Sequence, residues 1–184
     1  MGSRQNQYQV MVPFLDALEQ LGIEPEELFS GFQKRRDTQG EEVASGRTDF
    51  VLMLETAAEL AGDPGFAIRI GQTINLCGTG SFGFALMSCN TFRDTLNLML
   101  GFQKVLSPGP HWETHPRQDG VMVRMNMKRG SAEQQRMATE LVHSINIRHG
   151  RLLSNSQMAE IEIEVNYPKP GHSGTHLELS LIHI

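Results

Sequence analysis

The chain has 184 residues, 39% hydrophobic and 20% charged, enough for one domain with a core and too few for two large ones. Twenty-one acidic against sixteen basic side chains leave a formal net charge of −5, which argues against autonomous DNA or RNA binding through phosphates. Charges interrupt the longest apolar stretches, excluding a membrane span of about 20 residues. Residues 1–9 carry one basic side chain and no apolar core, so no secretory signal is read; a cytoplasmic location with Cys77 and Cys89 reduced is expected.

The first third reads helical. Val10, Phe14, Leu15, Leu18 and Leu21 recur at helical spacing, and Gly22 stands where that helix ends. Pro25 suits the first turn of a second, short helix, with Glu26 and Glu27 near its positive end and Leu28, Phe29 and Phe32 as its apolar side. Residues 34–46, with the basic triplet Lys34, Arg35 and Arg36, read as a solvated loop. Thr48 or Asp49 caps the next helix, whose stripe is Phe50, Met53, Leu54, Ala57, Ala58 and Ala61, with Glu55 and Glu59 facing out and Gly62 as the stop. Asp63-Pro64 starts a short helical turn bearing Phe66, Ile68 and Ile70, closed by Gly71. After a glycine-rich passage, Thr91 and Asp94 form a capping box for a helix with Phe92, Leu96, Met99, Leu100 and Val105 on its buried side.

Beyond the prolines at 108 and 110 the period changes from 3.6 to 2. Val121, Val123, Met125 and Met127 alternate with Met122, Arg124, Asn126 and Lys128, a half-buried strand; Asp119-Gly120 before it makes residues 112–115 the other arm of a hairpin. A long helix follows over residues 132–153, with Met137, Ala138, Leu141, Val142, Ile145, His149 and Leu152 on one face, and then an alternating strand over 161–167. The order, several helices and then strand, strand, helix, strand, specifies an α+β domain with a small, mainly antiparallel sheet.

Gly78-Thr79-Gly80-Ser81-Phe82-Gly83 matches the dinucleotide-binding glycine pattern, but no buried strand precedes it and no acid sits at the end of a following strand. A tight turn that starts a helix, with glycines for close packing, explains it with fewer assumptions. His111 and His115 are four apart among prolines that prevent a helix, and His172 and His176 lie among glycines; neither pair brings a ligand set, so no metal and no cofactor are expected. No nucleophile elbow is present, and the chain does not read as an enzyme. His143 lies off the apolar stripe of the long helix and is expected to be exposed, whereas His149 lies on it, as a satisfied buried imidazole or a ligand contact.

Two segments carry a resemblance. Residues 55–71 (ETAAELAGDPGFAIRIG) and 80–102, with FGFALMSC followed by TFRDTL, resemble the arabinose-binding-like effector domain of AraC-family transcriptional regulators, the non-cupin subgroup found in many bacteria. Residues 22–29 and the late Tyr167-Pro168-Lys169-Pro170 fit the same pattern, so the likeness spans about residues 8–172. It implies a small-molecule sensor, expected to dimerise, joined to a C-terminal DNA-binding domain with two helix-turn-helix units. No basic recognition helix follows Tyr167, and residues 179–184 resemble the translated end of a sequencing-library adapter. A reading frame cut short is therefore expected, with residues 1–172 as the effector-sensing unit and 173–184 as a non-native tail.

The expected partners are a small-molecule effector, DNA only through the absent domain, no membrane, and a second copy of the chain. A free-standing small-molecule binding protein, or a nucleotide-dependent enzyme built on residues 78–83, are the alternatives. The effector pocket is expected between the sheet and the long helix, lined by Met137, Ile145, His149 and Trp112, with Arg124 as a carboxylate partner. Trp112 reads equally as a core residue, and Arg124 as a solvent-facing strand arginine. The shared motifs are caps and turns, so the resemblance itself assigns none of these five residues.

Overall fold

A computed structural model describes residues 2–39, 46–102, 111–118, 120–126, 130–153, 163–165, 167–168 and 181–183. Helix α1 (Gly2–Gln20) brings Phe14 and Leu18 one turn apart onto a single face, both fully buried. Gly22, at φ 81°, takes the left-handed conformation that ends the run. Helix α2 (Pro25–Gln39) buries Leu28 and Phe32, while Phe29, expected on that side, is 44% exposed.

This helix runs on through the basic triplet expected to be a loop. Lys and Arg are good helix formers, the Gln33 side chain donates to Asp37 one turn on at 2.8 Å, and Arg35 finds partners on the next helix. Those partners are Glu55, at 3.4 Å, and Glu59, both on α3 (Gly46–Ala61). Glu55 is therefore half-buried rather than turned to solvent. Leu52, Leu54 and Ala57 of α3 join Phe14, Leu18, Leu28 and Phe66 in the main core, and Phe14 meets Phe50 edge-on at 5.0 Å between centroids.

Asp63 accepts the Gly65 amide at 2.8 Å and pairs with Arg69 at 2.6 Å, which secures the start of α4 (Phe66–Thr73). Gly71 does not close this helix; it lies inside it, where α4 crosses the long helix α7 (Ala132–Leu153). A Cβ there would stand 2.8 Å from the Leu141 carbonyl oxygen, so glycine sets the approach of the two backbones.

The glycine-rich passage is a 3-10 turn (Leu76–Thr79) leading through Gly80, at φ 70° and ψ −145°, into α5 (Ser81–Met87). Gly83 packs so closely that a Cβ would fall 1.8 Å from the Leu76 carbonyl oxygen. Among the described residues no strand precedes this turn, so its glycines serve packing, as their context in the sequence indicated. Thr91 and Asp94 cap α6 (Phe92–Phe102): the Asp94 amide donates to Thr91 Oγ1 at 3.1 Å, and that hydroxyl donates to the carboxylate at 2.7 Å.

The expected hairpin is present, with β1 (His111–Arg117) antiparallel to β2 (Gly120–Asn126) and Trp112 opposite Met125. Its burial is uneven, for Val121 at the tip is 41% exposed. The long helix has the bounds its pattern indicates, although Leu152, placed on its apolar face, is 57% exposed. After it, β3 (Ile163–Val165) pairs in parallel with β4 (Leu181–His183), so the described strands form two separate pairs. Val165 closes a second small core with Ile68 and Ile147, flanked by Tyr167. The architecture is α+β and mostly helical, and among the described residues no helix is long and apolar enough to cross a membrane.

Candidate functional site

Helix α7 is covered on more than one flank. Met137, Leu141 and Ser144 turn toward the N-terminal helices: the first two are in the main core, and Ser144 donates to the Ile68 carbonyl at 2.6 Å. Arg148, one turn on, donates to the Ile74 carbonyl at 3.0 Å and so caps the end of α4. Arg136, Glu140, His143 and Ile147 recur at spacings of four, three and four, which aligns them on a different flank. That flank meets the β segments, Ile147 through Val165 and His143 through Trp112.

This second flank holds the polar chemistry. Arg136 donates from Nη1 to both oxygens of Glu140 at 2.6 Å, and Glu140 has no exposed surface. Its outer edge, Nε and Nη2, grips both oxygens of Glu133, with the Nε contact at 2.9 Å. Burial by itself would lower the guanidinium pKa, but the hydrogen bonds and charges of Glu133 and Glu140 outweigh it and hold the pKa raised. The Tyr167 hydroxyl lies near Glu140; burial, reinforced by that negative charge, pushes its pKa up. The Arg136 guanidinium thus pairs with a fully buried carboxylate, which is what keeps such a charge tolerable.

His143 is half-buried under the hairpin, with the Trp112 ring edge-on at 6.3 Å between centroids and 85° between planes. Desolvation lowers its pKa to about 4, so near neutral pH it is an uncharged imidazole with one donor and one acceptor. This corrects the expectation of an exposed His143. The apolar stripe of α7 could not show that Trp112 of the hairpin meets a different flank.

The five residues read from the sequence are spread over this region rather than gathered. Trp112 is half-buried and faces His143. Met137 is in the main core and Ile145 packs against it, both toward the N-terminal helices. His149 is buried, its Nδ1 donating to the Ile145 carbonyl at 2.7 Å, and burial lowers its pKa. Arg124 is exposed and stands opposite Glu113 in the hairpin register, on the face away from Trp112. Sequence reasoning missed Arg136, Glu140 and Tyr167. The only available signal, acidic and basic residues three and four apart, is also that of an ordinary solvated helix face.

On the outer face of β1, Glu113 stands between His111 and His115, with 3.6 Å from a carboxylate oxygen to each Nε2, a neighbour the spacing argument had not supplied. Among the described residues no three His, Cys, Asp or Glu side chains converge as a metal site.

A family model described as the arabinose-binding domain of AraC transcription regulator, N-terminal, matches residues 17–179. No curated protein matches the chain. The family is one of regulatory ligand-binding domains and not of enzymes. The match runs through the helical core, the hairpin and the long helix with its buried Arg136–Glu140 pair, and so the chain belongs to the N-terminal arabinose-binding domains of AraC transcription regulators.

Proposed function

We propose that the chain senses a small-molecule effector for an AraC-type regulator, and that the effector binds where the β1–β2 hairpin lies over α7, between Trp112 and His143. The observation that carries this reading is the Trp112–His143 contact, an aromatic surface set against an uncharged imidazole. Such a pair offers apolar area and one hydrogen-bonding position, the composition small-molecule sites favour. Met137 and Ile145 support the helix from its core side, and the His149 bond to Ile145 fixes the next turn. An effector that binds one hairpin position better than another shifts the population of that position. In the full regulator this changes how a C-terminal helix-turn-helix domain meets DNA, in a cytoplasmic protein that acts as a homodimer.

Trp112 is the only tryptophan of the chain, so its emission reports this site without ambiguity. Screening metabolites for a joint change in emission and rise in Tm identifies effectors, since a ligand bound to the folded state alone stabilises it. His143→Ala is expected to weaken an effector so found by tenfold or more while emission still reports binding. Unchanged affinity in that variant refutes the placement.

A further inference from the structure

We infer that Arg136 is the anchor for a carboxylate on the effector, and that Glu133 is the protein's own displaceable stand-in for that group. The inference rests on the proposed site and adds the chemical class of its ligand. The two edges of the guanidinium are held differently. Nη1 is committed to Glu140, which is fully buried. Removing Glu140 would strand a buried charge, so that contact is permanent.

The outer edge, Nε and Nη2, is closed by both oxygens of Glu133, the fork-on-fork geometry by which arginine recognises carboxylates. Glu133 belongs to the first turn of α7, and its side chain is 59% exposed against 10% for Arg136. Water rehydrates an exposed carboxylate readily, so this partner can leave where Glu140 cannot. A ligand carboxylate taking its place keeps the geometry and the charge balance at the guanidinium.

The same flank gives the rest of the ligand. From Arg136 to His143 is seven residues of one helix, about 10 Å, ending under Trp112. The fitting class is a monocarboxylate with an apolar or aromatic body of about that length.

The test compares 4-phenylbutyrate with its amide, 4-phenylbutanamide, by thermal shift and by Trp112 emission. The proteins are the wild-type chain, Glu133→Gln and the double variant Arg136→Met/Glu140→Leu, which removes both buried charges together. The acid is expected to bind at least tenfold more tightly than the amide. Glu133→Gln should tighten the acid several-fold and leave the amide unchanged, and the double variant should lose the preference. A purely structural ion pair gives no such gain, so an unchanged or weaker acid affinity in Glu133→Gln overturns the inference. So does equal binding of acid and amide, or binding of neither to wild type and Glu133→Gln. Equal binding with a change in Trp112 emission refutes the anchor and leaves the site standing. An acid preference that Glu133→Gln strengthens, without any emission change, supports the anchor and refutes the placement under the hairpin.

Discussion

Gly71 of α4 and Ser144 of α7 meet where the two helices cross: a Cβ on the glycine would lie 2.8 Å from Ser144 Cβ and equally close to the Leu141 carbonyl oxygen. The Ser144 hydroxyl turns aside to the Ile68 carbonyl and joins the helices at this point. Gly71→Ala is expected to force the backbones apart and destabilise the domain by about 1–3 kcal/mol. Ser144→Ala should lose only about 1 kcal/mol, the worth of one hydrogen bond. Urea unfolding midpoints of the two variants check the order.

Glu140→Ala leaves the Arg136 guanidinium with one of its two carboxylates in a buried setting, and about 3–5 kcal/mol of stability should go with it. Arg136→Met/Glu140→Leu removes both charges and should lose much less. If the double variant is as damaged as the single one, the buried pair is not what the site depends on. Denaturant titration of both proteins decides this.

Acid sensitivity follows from His143. Its pKa falls from 6.5 to about 4 on folding, so between those values the unfolded chain takes up a proton that the folded chain refuses. Stability is then complete above about pH 6.5, declines as the pH drops and levels off near pH 4, by at most about 3 kcal/mol. His149, also lowered by burial, acts in the same direction. His143→Phe keeps an aromatic ring against Trp112 and removes the proton site, and it should flatten most of the decline in Tm between pH 7 and 5. A slope equal to wild type would show that His143 remains hydrated in solution.

Gly83 has no room for a side chain against the Leu76 carbonyl. Gly83→Ala should therefore lose about 3 kcal/mol or more. Nucleotides are expected to give the wild-type chain no thermal protection, because this turn packs against its own backbone and starts a helix of seven residues. A Tm rise with ATP or NAD would reopen the nucleotide reading.

Arg35→Gln removes the link from α2 to Glu55 and Glu59 of α3, at the protein surface. The expected loss is below about 1 kcal/mol and smaller still in high salt. Thermal unfolding at low and high ionic strength is the check.

Features that depend on near neighbours along the chain were legible before any fold was known. The bounds of α7, the hairpin, the Thr91–Asp94 cap and the glycine turn follow from a period of 3.6 or 2, a capping side chain or a needed backbone conformation, all local. Which surfaces are covered depends on contacts between segments far apart in the chain. Arg136, Glu140 and His143 share the helical spacing of a solvated face, yet Arg136 and Glu140 are buried and His143 meets Trp112 of the distant hairpin. Arg35 likewise extended α2 by meeting Glu55, twenty residues away. Gly71, which ends a pattern in one dimension, marks a crossing in three, since closeness between distant segments leaves no period in the sequence.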